Sequence, residues 1–232
     1  MDKSTGVNEF LTKEPKELPV FLLLDASGSM DGNDRIGVLN RSVNAMIKSF
    51  KDLATTAARI SVAVISFGVE GAKVVQSLTP ASDIKSINLT ADGGTPLGAA
   101  INKAKEMIEN VEIVKHKSYR PVVVLVSDGM PNDNWQEPMK KFCTEGRSAK
   151  CNRMAMGIGA EEGTSEYRML QSFISDGEVV HTADDAMEIV KFFNFVTMSV
   201  SVRSQSQNPN KTPDIASSDT FSRVDLDLWL KR

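Results

Sequence analysis

The chain has 232 residues, of which 41% are hydrophobic and 25% charged, with 27 basic side chains against 30 acidic ones. That length suits one well-filled domain, or one domain with a tail. A formal net charge of −3 excludes a general electrostatic pull toward nucleic acid or an anionic membrane.

Residues 1–17 are polar and charged and are expected to form a flexible lead-in. They lack the apolar stretch of a secretory signal, and no segment is long and apolar enough to span a bilayer. Pro19-Val20-Phe21-Leu22-Leu23-Leu24 then forms a continuous apolar run that ends at Asp25. A run without alternation predicts a central strand buried on both faces. Ile36, Leu39, Val43, Met46, Ile47, Phe50 and Leu53 follow at helical spacing, with Arg41, Asn44, Lys48 and Lys51 between them. Asn33 or Asp34 is the expected N-cap of this helix. Residues 60–67 read as a second strand, and Val74, Val75 and Leu78 as a shorter one closed by Pro80.

A helix is expected after Gly93-Gly94-Thr95-Pro96, with Pro96 at its first helical position and Leu97, Ala100, Ile101, Ala104 and Ile108 as its apolar stripe. Residues 121–126 are another buried strand, ending at Ser127-Asp128-Gly129. A helix is predicted from Trp135 to Phe142, its start obscured by Pro138. A strand over 154–158, a short helix over 167–173, a short strand over 179–181 and a last helix over 184–201 complete the pattern. Strands alternating with helices predict an α/β domain over residues 18–202: three layers, with a central, mostly parallel sheet flanked by helices. Residues 203–232 form a low-complexity tail, expected to be disordered. Its last stretch, Val224-Asp225-Leu226-Asp227-Leu228-Trp229-Leu230, alternates acidic and apolar residues and reads as a frayed end, an added edge strand or a docking motif. Cys143 and Cys151 are the only cysteines and read as plain thiols, so the expected compartment is the cytoplasm.

Three segments place small oxygen donors just after a strand or at a helix entrance: Asp25-Ala26-Ser27-Gly28-Ser29, Gly93-Gly94-Thr95-Pro96 and Ser127-Asp128-Gly129. In open α/β sheets, ligands bind at the carboxyl ends of the strands. The candidate ligands are Asp25, Ser27, Ser29, Thr95 and Asp128, all hard oxygen donors without histidine or cysteine. That set suits Mg²⁺, with Mn²⁺ or Ca²⁺ as the other fitting ions, and argues against zinc or copper. Asp31, Asp34, Asp92, Asp133 and Glu137 lie near the three loops and are expected to be solvated charges or caps.

Asp25-x-Ser27-x-Ser29, Thr95 and Asp128 together resemble the metal-ion-dependent adhesion site of von Willebrand factor A domains. The resemblance covers residues 18–202 and implies that Ser27, Ser29 and Thr95 bind the metal, with Asp25 and Asp128 binding directly or through water. Within that family the chain is most similar to the bacterial TerY-type proteins of tellurium-resistance and stress operons. The carriers are Pro19-Val20-Phe21-Leu22-Leu23-Leu24-Asp25, Ala91-Asp92-Gly93-Gly94-Thr95-Pro96-Leu97-Gly98-Ala99-Ala100, the stretch from Arg120-Pro121 through Ser127-Asp128-Gly129 to Trp135, and Lys191-Phe192-Phe193. The resemblance implies a PP2C-like phosphatase and a protein kinase as candidate partners. The tail has no cysteine, which departs from relatives with a cysteine-rich C-terminal module.

Hydroxyls neutralise little of a dication's charge, so an acidic side chain of a partner protein can complete the coordination shell. This predicts a non-enzymatic, metal-dependent interaction module. The alternative is a Mg²⁺-dependent phosphohydrolase with Asp25 as nucleophile. Against it, the usual second acid two residues later is Ser27, and neither His116 nor His181 lies near the motifs in sequence. No phosphate-binding Gly-x-x-x-x-Gly-Lys-Ser/Thr loop is present.

Overall fold

A computed structural model describes residues 15–53 and 58–211. Most of the expected lead-in, and the tail beyond 211 with its acidic–apolar end, lie outside the described residues. The strands are β1 (Lys16–Asp25), β2 (Ala58–Gly68), β3 (Gly71–Pro80), β4 (Val122–Ser127), β5 (Asn152–Ile158) and β6 (Val180–Ala183). The helices are α1 (Arg35–Asp52), α2 (Leu97–Glu109), α3 (Gln136–Thr144), α4 (Ser165–Phe173) and α5 (Ala186–Gln205). The strands form one sheet in the order β3-β2-β1-β4-β5-β6, in which only the edge strand β3 runs antiparallel.

The unbroken apolar runs explain the layering. Successive side chains of a strand point to opposite faces. Val20, Leu22 and Leu24 of β1 therefore join Val122, Val124 and Val126 of β4 against α1 and α5. Phe21 and Leu23 join Val123 and Leu125 against α2, α3 and α4. From Leu18 onward in β1, and throughout β4, both faces are buried, and neither stretch carries a polar residue until its carboxyl end. There Asp25 and Ser127 appear side by side, because the register pairs Leu24 with Val126. β1 lies between β2 and β4, so the chain leaves it at the point where the strand order reverses, the usual ligand crevice of such sheets.

Three expectations change. Pro138 does not obstruct α3, because it sits in the first helical turn, where backbone N–H groups have no intrahelical partner. Asn44, read only as a polar residue between the apolar positions of α1, is half-buried and works as a strand mimic. Asn44 Nδ2 donates to the Ile87 carbonyl at 2.7 Å and its Oδ1 accepts the Ile87 N–H at 2.8 Å. Asn40 makes the same pair of bonds with Leu89, at 2.9 and 2.8 Å. The two side chains pin an otherwise irregular segment that leads to Gly93. Asn44→Ala leaves two buried backbone groups unpaired and is expected to cost about 2–3 kcal/mol in urea unfolding, against under about 0.5 kcal/mol for the exposed Lys48→Ala.

The third change is at the C-terminal boundary. α5 runs past the expected domain end at 202 to Gln205. Arg203 is fully buried there; its Nε donates to the Pro209 carbonyl at 2.7 Å and its Nη2 to the Arg120 carbonyl at 2.9 Å. Asn210 Oδ1 accepts the Arg120 N–H at 2.8 Å. A guanidinium bonded to backbone carbonyls anchors this segment, so its polar composition gave a misleading texture. Cys143 and Cys151 are free thiols, and burial pushes the Cys151 thiol up to about 12. Among the described residues, no helix is long and apolar enough to cross a membrane.

Candidate metal centre

The site is built on the carboxyl ends of β1 and β4. Asp25 is the last residue of β1 and is 0% exposed. Its Oδ1 accepts the Ser27 N–H at 2.9 Å, which folds the chain back over the carboxylate. Its Oδ2 accepts the Ser127 hydroxyl at 2.6 Å. Burial is the main cause that raises the Asp25 pKa above its ordinary value; the Asp128 charge adds to it, and the Ser127 and Ser27 hydrogen bonds work against it. The site thus holds a carboxylate whose ionised form is short of solvation.

From Asp25 a chain of oxygens runs outward. Ser27 Oγ and Ser29 Oγ lie 3.0 Å apart, and Ser29 Oγ donates to Asp128 Oδ1 at 2.6 Å. Met30, fully buried just after Ser29, anchors this turn to the core. Arg35, in the first turn of α1, donates from Nη1 to Asp128 Oδ2 at 3.1 Å, and the Asp128 side chain is itself 0% exposed. Asp128 is therefore already paired with a cation of the chain.

Thr95 arrives on a loop laced to the first. The Gly28 N–H donates to the Gly93 carbonyl at 3.0 Å and the Asp92 N–H to the Ala26 carbonyl at 2.8 Å. Asn132 holds Thr95 from the far side: its Oδ1 accepts the Thr95 N–H at 3.1 Å, and its own N–H donates to the Thr95 carbonyl at 3.1 Å. Thr95 is 8% exposed, and among the described residues no hydrogen bond engages its hydroxyl. Gly93 has φ +75°, and a Cβ there would lie 2.2 Å from Val69 Cα. Only glycine lets the Thr95 loop come this close to the end of β2.

Four of the five expected residues, Asp25, Ser27, Ser29 and Asp128, are thus joined in one hydrogen-bonded run, and Thr95 is carried beside it by its loop. Sequence reasoning missed two supports and gave a third only a general role. Arg35 carried no signal beyond its place next to Asp34, and Ser127 looked like part of a turn. Asp133, expected as a rim charge or cap, is a cap in trans: its two oxygens accept the Gly98 and Ala99 N–H groups at 3.0 Å each, closing the N-terminus of α2. Of the other rim acids, Asp34 pairs with Arg41 at 2.7 Å and Glu137 with Lys141 at 3.4 Å.

The donor set fits a hard divalent ion. Neighbouring ligands around an octahedral Mg²⁺ lie about 2.9 Å apart, and the Ser27–Ser29 oxygen separation is 3.0 Å. Among the described residues no three His, Cys, Asp or Glu side chains gather as a metal cluster, so an ion here would depend on hydroxyls for much of its shell.

Residues 20–130 match the family model of the von Willebrand factor type A domain. No curated protein matches the sequence. Among solved structures, the fold is similar to the pilus adhesin SpaC from Lactobacillus rhamnosus GG in its open conformation. The TM-score is 0.64 at 14% identity, over 82% of this chain and 30% of that one. It is also similar to a von Willebrand factor type A protein from Catenulispora acidiphila, with TM-score 0.55 and 20% identity over 80% of this chain and 42% of that one. The von Willebrand factor domain of the type V pili tip protein Mfa5 from Porphyromonas gingivalis gives TM-score 0.61 and 10% identity, over 87% of this chain and 99% of that one. The chain thus spans well under two thirds of the first two proteins, and identities this low bear on the fold alone. The matched segment runs from β1 through the Asp128 loop, and the mostly parallel six-stranded sheet flanked by helices has the three-layer fold of von Willebrand factor type A domains.

Proposed function

We propose that this domain is a metal-dependent protein-interaction module that captures an acidic side chain of a partner protein. The observation that carries the reading is the run of oxygens from buried Asp25 through Ser27 and Ser29 to Asp128, with the free Thr95 hydroxyl beside it. Ser27, Ser29 and Thr95 would hold Mg²⁺, or Mn²⁺ or Ca²⁺, with Asp25 and Asp128 supplying charge. When bound, the ion offers an electrophilic position that a partner carboxylate fills. The chain's own part is preorganisation. Ser127 and the Ser27 N–H fix the Asp25 carboxylate, Asn132 fixes the Thr95 backbone, and Arg35 offsets part of the Asp128 charge.

Non-catalytic work is supported by the state of Asp25. A nucleophile needs an accessible oxygen, whereas both oxygens of Asp25 accept hydrogen bonds and the residue is 0% exposed. The motif resemblance to TerY-type proteins supports a place in a bacterial tellurite or stress response. It makes a PP2C-like phosphatase and a protein kinase the first partners to try, and the two free thiols suit a cytoplasmic setting. The test is capture of partners by the immobilised chain in Mg²⁺ and in chelator. Retention by wild type only in Mg²⁺, and by Asp25→Asn in neither, supports the proposal; retention indifferent to both chelator and substitution overturns it.

The Arg35–Asp128 pair adds a quantitative expectation. A guanidinium 3.1 Å from an Asp128 oxygen competes with a dication for the same carboxylate. Arg35→Gln is therefore expected to tighten Mg²⁺ binding by about tenfold, or about 1.4 kcal/mol, by calorimetry. Weaker binding would instead assign Arg35 the role of holding Asp128 in place.

A further inference from the structure

The end of the sheet opposite Asp25 carries a second polar constellation that the interaction site does not use. A cleft of about 280 Å³ opens where the chain enters β4 and β5, lined among others by His116, Arg120, Arg147 and Lys150. In a chain of net charge −3 this is a local excess of positive charge. The acids nearby are engaged elsewhere. Glu109 accepts the Arg147 and Ser148 N–H groups and pairs with Lys105 at 3.2 Å, and Glu178 accepts from Asn152 at 2.9 Å.

Several donors of this cleft lack an acceptor. Arg147 Nη1 and Ser118 Oγ are buried without a hydrogen-bond partner, and both residues line the cleft. Arg203 Nη1, behind the Arg120 wall, is likewise unpartnered, and this buried guanidinium bonds only carbonyl oxygens. Buried donors of this kind are uncommon in native proteins, and each calls for an acceptor. The Arg203 pKa is lowered to about 10, chiefly by burial, with Arg120 adding like-charge repulsion. An anion in the cleft would relieve both the missing hydrogen bonds and the repulsion.

We propose that this cleft binds a phosphate monoester, with Arg120, Arg147 and Lys150 gripping the phosphoryl oxygens and the Ser118 hydroxyl donating to one of them. A carboxylate offers two oxygens, too few for this number of donors, whereas a phosphoryl group presents three and carries up to two charges. Planar guanidinium forks match its geometry. The cleft is larger than phosphate itself, which leaves room for the group that bears it. That group is either a small metabolite or the phosphorylated side chain of a protein.

The full chain is titrated calorimetrically in chelator, at constant ionic strength, with inorganic phosphate and with a short phosphoserine peptide. The expected result is saturable binding of at least one probe with a dissociation constant of about 1 mM or tighter. Arg147→Gln and Lys150→Gln should each weaken it by about tenfold or more, while the response to Mg²⁺ at the opposite end is unchanged. Tighter binding of the peptide assigns the phosphoryl group to a protein, and equal or tighter binding of inorganic phosphate to a small molecule. Lys150 is exposed, so its substitution tests the site even if Arg147→Gln fails to fold. No saturable binding of either probe, or binding indifferent to Lys150→Gln, overturns the proposal.

Discussion

Mg²⁺ at about 100 times its dissociation constant is expected to raise the melting temperature of the wild-type chain by about 5–10 °C, and Asp25→Asn to abolish that rise. The magnitude follows from linkage. A ligand that binds only the folded state at that excess adds about 2.7 kcal/mol, and a domain of this size gains about 2–4 °C per kcal/mol. The substitution should do more than remove a ligand. Burial raises the Asp25 pKa, so at neutral pH, in chelator, the folded chain carries a carboxylate that would be better solvated unfolded. The sign follows from that. Stability conferred by a protonated Asp25 is present below its unfolded pKa and is lost as pH rises through its raised folded value. In chelator at neutral pH, Asp25→Asn should therefore melt no lower than wild type, and in Mg²⁺ it should melt lower. Differential scanning calorimetry of both chains in both buffers checks the crossover. A uniform loss in both buffers would make Asp25 a structural residue only.

Gly93→Ala is expected to destabilise the fold by about 3–4 kcal/mol and to weaken Mg²⁺ binding with it. Two costs combine. The residue holds φ +75°, a conformation L side chains adopt reluctantly, and its Cβ would lie 2.2 Å from the Val69 backbone, which has no flexible end to yield. Gly71 separates the two costs. It has φ +82° but nothing within 4 Å of a built Cβ, so Gly71→Ala should cost only about 1 kcal/mol. Urea unfolding of the two variants side by side measures the difference. Equal costs would mean that the loop moves aside freely and that the lacing of Gly93 to Gly28 does not fix the Thr95 loop.

Much of this architecture was legible in the sequence because β1 and β4 are apolar on both faces. Unbroken runs such as Phe21 to Leu24 and Val122 to Val126 have few alternatives to a buried parallel strand. The polar residue that ends each run then marks the carboxyl end of the sheet. The placement of Ser27, Ser29 and Thr95 was legible for the same reason, since they follow such ends or precede a helix. What stayed hidden were contacts between residues far apart in the chain. Asn40 and Asn44 are polar residues within a helical pattern, and only the tertiary approach of residues 87–89 makes them strand partners. Arg35 meets Asp128 across 93 positions and Asp133 caps α2 across 35, and neither distance leaves a periodic trace. Arg203 was misread because a buried guanidinium satisfied by carbonyls has the composition of a tail.

Mn²⁺ titrated into isotopically labelled protein, with amide resonances followed by NMR, tests the location of the ion most directly, because paramagnetic broadening reports distance from it. Amides of residues 26–30, 93–95 and 127–129 are expected to broaden first, at substoichiometric Mn²⁺, and excess Mg²⁺ to restore them. Broadening that begins elsewhere, or none at these positions up to about millimolar Mn²⁺, would contradict this location of the ion.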